Sequence, residues 1–190
     1  MPFLHRYYRV RREDNDSYLL LDWSENALPY MRARPIRAPH VIALTIGDPV
    51  PDDIQMVDFR PLPKPVFHNR LKHVFGNAAA FGGQVIPVAI QMPDGSINNE
   101  YFCLHLYNKV TCANVEKSVC GGMYASGRMM MIERLVLDSN VLNRIPSAER
   151  TAFRPWEAPQ YTVFHHTLVE KLQAMNPVGC RFDPLEYTGE

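Results

Sequence analysis

The sequence predicts an α+β fold, a mainly antiparallel sheet with a hairpin near its middle and two helices packed on it. Three observations predict it. Gln84–Met92 and Tyr101–Tyr107 are apolar, β-rich runs on either side of Pro93-Asp94-Gly95-Ser96, a turn signature; together they read as an antiparallel hairpin over 84–107. Over 66–75, Phe67, Leu71, Val74 and Phe75 recur at helical spacing. Over 164–175, Phe164, Leu168, Leu172 and Met175 do the same. The 190 residues, 46% of them hydrophobic, fit a single domain over 1–190 that buries its core without staples.

Taken in order, Tyr7–Val10 and Ser17–Trp23 flank the polar stretch Glu13-Asp14-Asn15-Asp16 and read as a first hairpin with a solvated tip. Ala27–Pro39 carries Arg32, Arg34 and Arg37 among three prolines and reads as a surface loop. His40–Ile46 is a short strand. Gly47–Asp58, with Asp48, Asp52, Asp53, Asp58 and two prolines, reads as an acidic loop. Gly76 stands where the first helix wants a C-terminal cap, and Ala78–Gly83 links that helix to the central hairpin. Ser118–Gly127 is small and Gly-rich, a mobile segment by composition. Met129–Leu137 is apolar with a β-branched end before Asp138-Ser139-Asn140 and favours a strand. Arg144–Pro159 reads as irregular, anchored by Phe153 and Trp156. After the second helix, Asn176-Pro177 is a stop, and Val178–Pro184 is an extended tail placed to tuck Phe182 against the core.

Composition narrows the function classes. Twenty basic and twenty acidic residues cancel, so no net field points to nucleic acid or an anionic membrane. No apolar run approaches the ~20 residues of a membrane span. The stretch from Met1 to Arg9 has neither an apolar core nor a small-residue cleavage site. The expected compartment is the cytosol, with Cys103, Cys112, Cys120 and Cys180 reduced.

Reactive chemistry has few candidates. Cys103, His105, Cys112 and Cys120 follow the pattern C-x-H-x6-C-x7-C, which lacks the closely spaced cysteine pair of structural zinc sites. Buried cysteines acting as small hydrophobes account for them better. A Cys120–His105 nucleophile pair has no motif to orient it or to supply an oxyanion hole. In His165-His166, one ring caps or packs and the other faces water. The Asp14-Asn15-Asp16 tip lacks the glycine and distal glutamate of a calcium loop. Phosphate loops, dinucleotide fingerprints, nucleophile elbows and zinc-protease helices are absent from the sequence. No catalytic residue, cofactor or metal is expected.

The order of these signals carries a resemblance. A Tyr-Tyr strand start and an Asp-rich turn precede Val57-Asp58-Phe59. Pro65–Phe75, Gln84–Val88, Tyr101–Asn108 and Asn114–Ser118 follow. Phe153-Arg154, the segment 164–175 and Gly179–Pro184 complete the series. From about Tyr7 to Pro184 the chain resembles the bacterial polymorphic-toxin immunity family numbered eleven, a former domain of unknown function first named after a myxobacterial member. The resemblance implies an α+β, cytosolic protein that neutralises a toxin encoded beside it, delivered by contact-dependent or type VI secretion. It implies a protein partner and no enzyme activity. It brings no shared catalytic residue, and it leaves a private metal or redox role for Cys103, Cys112 and Cys120 open, as it does the oligomeric state. Two other classes compete: a small Cys/His-dependent enzyme, and an adaptor or structural module of a secretion or phage-like assembly. For the immunity reading, the partner-binding candidates are the densest exposed acids, Asp14, Asp16, Asp48, Asp52 and Asp53.

Overall fold

The computed structural model describes residues 6–37, 40–76 and 81–188. It is mixed α/β and mostly sheet, with antiparallel pairing dominant. A six-stranded sheet is built from β2 (Leu21–Trp23), β3 (Ile42–Ile46), β4 (Phe59–Arg60), β5 (Val66–His68), β6 (Gly83–Gln91) and β7 (Ile97–Leu106). Its order is β2-β3-β6-β7-β5-β4, so the β6–β7 hairpin stands at its middle, as its sequence predicts. The turn closes through the Asp94 carboxylate, which accepts from the Ser96 amide at 2.9 Å, and Gly95 supplies φ +84°.

A five-stranded sheet joins β1 (Tyr7–Arg12), β8 (Lys109–Val110), β12 (Ala152–Pro155), β13 (Val163–His165) and β14 (Cys180–Pro184) in the order β14-β1-β13-β12-β8. Two ribbons complete the strands. One pairs β9 (Val119–Met123) with β10 (Met129–Arg134), and the other pairs β11 (Val136–Asp138) with β15 (Glu186–Thr188). The described helices are α1 (Leu28–Met31), a 3-10 helix (Asn69–Phe75), α2 (Ser139–Asn143) and α3 (His166–Gln173).

Strand alternation sorts the core into layers. On β7, Phe102, Leu104 and Leu106 point into one cluster, while Tyr101 and Cys103 point into another. The same two-residue period splits β1 into Tyr8 and Val10 against Tyr7, β12 into Ala152 against Phe153, and β13 into Phe164 against Val163. The middle layer lies between the two sheets and collects Phe59, Phe67, Phe75, Phe102 and Phe164, with ring centroids 4.7–6.4 Å apart. Leu168, Val169 and Leu172 of α3 and Leu71 of the 3-10 helix close this layer. Each sheet is therefore apolar on both faces, which is why β7 reads as a continuous apolar run.

Several expectations need correction. Tyr7–Val10 and Ser17–Trp23 do not pair with each other: β1 lies between β13 and β14, whereas β2 joins β3 in the other sheet. A two-stranded hairpin leaves one face of each strand in water, and β1 has side chains to bury on both faces. The segment 66–75 is not one helix. Val66-Phe67-His68 forms β5, between β4 and β7, and the His68 ring starts the 3-10 helix by accepting from the Arg70 amide at 3.2 Å. Gly76 keeps right-handed helical dihedrals, φ −52° and ψ −46°, rather than a left-handed cap. Over 164–175, Phe164 belongs to β13, opposite Tyr8 and Ala152, and the helix spans only His166–Gln173. His165 caps it, its ring nitrogen accepting from the Thr167 amide at 3.4 Å.

Ser118–Gly127 contains strand β9, and Arg144–Pro159 contains β12. Trp156 is no buried anchor. It stays 37% exposed, with Lys109 and Arg128 each 4.9 Å from its ring centroid. Parallel pairs also occur, β3 with β6, β8 with β12 and β11 with β15. The predicted link over Ala78–Gly83 lies outside the described residues up to residue 80, as do Ala38 and Pro39 of the arginine loop.

Candidate functional site

The five predicted aspartates fall on two turns that the fold brings side by side. In the first, the Asn15 carboxamide accepts from the Ser17 amide at 2.9 Å and the Asn15 carbonyl from the Tyr18 amide at 3.2 Å. The Arg12 guanidinium also donates to the Asn15 carbonyl. The chain then bridges to the second loop: Tyr18 pairs with Gln55, the Gln55 amide donates to the Ser17 carbonyl at 3.1 Å, and the Gly47 amide donates to the Leu20 carbonyl at 2.9 Å. Asp14, Asp16, Asp48, Asp52 and Asp53 are all exposed. Asp14, 83% exposed, reaches Arg181 at 3.5 Å, and Asp53 accepts from the Gln55 side chain at 3.4 Å. Among the described residues, no ion pair engages Asp16, Asp48, Asp52 or Asp53.

Two acids in the same stretches are structural. Glu13 accepts from the Gly179 amide at 3.0 Å. Asp58 is buried. Its two oxygens accept from Arg70 Nε and Nη2 at 2.6 Å each, and the Val178 amide donates to it at 2.7 Å. Burial alone pushes the Asp58 carboxyl up, but the hydrogen bonds from Arg70 and Val178 and the charge of Arg70 outweigh it and hold it below its ordinary value. Arg70 also donates to the carbonyls of Met175 and Asn176. One carboxylate thus ties the loop before β4 to the 3-10 helix and to the turn after α3.

The cysteines do not converge. Cys103 lies in the outer layer of the six-stranded sheet, Cys112 in the layer beyond the five-stranded sheet, and Cys180 between the sheets. Burial pushes the Cys103 thiol up to about 12 and raises Cys112 and Cys180 as well. Cys120, half-buried, donates to the Gly122 carbonyl at 3.3 Å. His105 hydrogen-bonds the Arg34 carbonyl at 3.0 Å, and burial first of all lowers its pKa. Among the described residues no three His, Cys, Asp or Glu side chains could share a metal. That His105 contact, with a reciprocal pair between the Gln84 side chain and the Ile36 backbone at 2.8 and 3.0 Å, pins the arginine loop to the sheet.

The sequence reading missed a basic cleft of about 380 Å³ between the two sheets. Arg9, Arg11, Arg12, Lys64 and Arg154 line it, with Asp14 at its edge. They come from β1, the Pro61–Pro65 connection and β12, segments that only the fold brings together. Arg9, Arg11 and Arg12 stand close together in the sequence, but nothing there joins them to Lys64 and Arg154. Burial first, and then the charge of Arg154, pushes Lys64 down to about 8.

Among the described residues, no helix is long and apolar enough to cross a membrane. No protein-family model matches the chain, and no curated protein matches it.

Proposed function

We propose that this chain is a cytosolic immunity protein. It binds one cognate toxin or effector domain, delivered by contact-dependent or type VI secretion, and neutralises it by covering the active site or by blocking an essential movement. The observation that carries the reading is the juxtaposition of the two acidic turns at the Tyr18–Gln55 bridge, which presents Asp14, Asp16, Asp48, Asp52 and Asp53 to solvent on a scaffold cored from both sheets. A toxin that acts on nucleic acid or a phosphorylated cofactor carries a basic substrate cleft, and acidic groups offered to that cleft steer association and set partner choice. Such an interface buries on the order of 1,600 Å². Inhibition by occlusion asks for no reactive centre, so the chain acts by binding and not by catalysis.

The test is association kinetics with the toxin domain encoded beside the chain, at two ionic strengths. The variants are Asp14→Lys with Asp16→Lys, and Asp52→Lys with Asp53→Lys. Each pair is expected to slow association about tenfold or more at low salt. The deficit shrinks as salt rises, because exposed charges are screened within ~10 Å at 0.1 M. Thermal melts should move by less than ~0.5 kcal/mol equivalent. Wild-type association rates in both double variants at low salt would remove these turns from the interface.

A further inference from the structure

We propose that the cleft between the two sheets binds a small phosphate monoester, its phosphate held by Lys64, Arg12 and Arg154 and its apolar body laid along the Pro61–Pro65 connection. This site adjoins the first acidic turn, with which it shares Asp14, but the proposal does not rest on the immunity reading.

Charge is the first argument. The chain as a whole is neutral, yet five cations and one carboxylate line this cleft. The carboxylate, Asp14, is largely exposed and engaged by Arg181 outside the lining. Concentrating one sign of charge between low-dielectric walls focuses the field on the cleft.

Donor accounting is the second. Arg9 lies over the Tyr161 ring, 3.8 Å from its centroid, and Arg11 is spent on Asp183 at 3.3 Å. The other three keep donors in hand. Arg154 donates through Nε and Nη2 to the Pro159 carbonyl, which leaves Nη1. Arg12 donates through Nη2 to the Asn15 carbonyl, and its Nε is buried with no partner. No carboxylate pairs with the Lys64 ammonium among the described residues. All three side chains are half-buried, and a cation partly withdrawn from water without a counter-charge gains from an anion that completes it. Arginine forks and a lysine point charge together match a phosphate dianion better than a single carboxylate.

Shape is the third. About 380 Å³ is the size of a small-molecule site. Pro61, Leu62, Pro63 and Pro65 line one side. Three of the four have no N–H to satisfy, so that wall offers apolar surface. A phosphate monoester with an aromatic or aliphatic body uses both halves.

The probe is phenyl phosphate, titrated calorimetrically into the purified chain at pH 7 and low salt. Saturable one-to-one binding with Kd below ~1 mM is expected. Inorganic phosphate, which lacks the apolar body, should bind more weakly by about fivefold or more, and phenol should not saturate. Lys64→Gln should weaken phenyl phosphate by about tenfold or more without moving the melt. Affinity should also fall as pH rises through about 8, where the unliganded Lys64 loses its proton. Failure to saturate by ~10 mM, or undiminished affinity in Lys64→Gln, overturns the proposal. Inorganic phosphate as tight as phenyl phosphate overturns the assignment of the proline wall. If Lys64→Gln does not fold, backbone amide shifts of the wild-type chain decide: Arg12, Lys64 and Arg154 must move on titration, and their stillness refutes the site.

Discussion

Replacing Asp58 by asparagine is expected to destabilise the fold by about 2–4 kcal/mol. The substitution keeps the shape. An asparagine oxygen can still accept from the Val178 amide, 2.7 Å away in the wild type. Arg70 Nη2 donates to that same oxygen, so asparagine keeps this bond without the carboxylate charge; the 2.6 Å bond from Nε is lost, because the new NH2 group faces it and both are donors. Hydrogen bonds to charged groups contribute ~1.5–3 kcal/mol each. Losing one outright and the charge assistance of the other would exceed the top of that range if Arg70 were buried. Its side chain is 37% exposed, against 9% for Asp58, so water recovers part of the loss. At ~2–4 °C per kcal/mol for a chain of this size, the melting midpoint should drop by about 4–16 °C. Acid supplies a second readout. The folded-state pKa of Asp58 is depressed, so its contribution is complete above the unfolded carboxyl value of ~3.9 and is lost as pH falls through the folded value. Denaturant curves at pH 7 and at successively lower pH should therefore show the gap between wild type and Asp58→Asn narrowing in acid. A loss under ~1 kcal/mol at pH 7, or a gap that does not narrow, would refute the view that this carboxylate braces three segments.

Two further predictions concern the core. Leu168→Ala removes a buried side chain from the layer between the sheets and should cost about 2–5 kcal/mol in denaturant unfolding; an unchanged midpoint would displace α3 from that layer. Thiol labelling of the native chain should modify Cys120 first, while Cys103, Cys112 and Cys180 should react only at the rate of unfolding. Fast native labelling of Cys103 would contradict its burial.

The central hairpin was legible because its information is local: two β-rich runs and a Pro-Asp-Gly turn mark the strands and the turn within 84–107, although β7 already begins at Ile97 and a register shift between Val88 and Ile90 left no mark in the pattern. The segments starting at Val66 and Phe164 were ambiguous for a definite reason. In both, a strand delivers one phenylalanine to the core, and the helix that follows delivers the residue four positions later. Phe67 with Leu71, and Phe164 with Leu168, thus mimic one continuous helical face. The partners of β1 were not legible, because they lie at the other end of the sequence. Nor does sequence density separate Asp52 or Asp53 from Asp58 and Glu13. All four sit in acidic stretches, and only the placement of Arg70, Val178 and Gly179 makes the latter two structural. The basic cleft was invisible for a related reason: the arginines of β1 meet Lys64 and Arg154, distant in the sequence, only in the fold.

The placement of β1 has a consequence for synthesis. The strands of the six-stranded sheet all lie between Leu21 and Leu106, so its pairings are available as soon as that stretch leaves the ribosome. Tyr8 is made before that stretch, but it pairs with Phe164 and Pro184, which follow it by 156 and 176 residues. At about 5–20 residues per second it waits on the order of 10–30 seconds for them. During that interval Tyr7, Tyr8 and Val10 have no strand to pair with, and the phenylalanines of the half-built middle layer lack their cover. The nascent chain is then most exposed to strand-edge association with its neighbours, and any factor that shields it acts before β13 and β14 emerge.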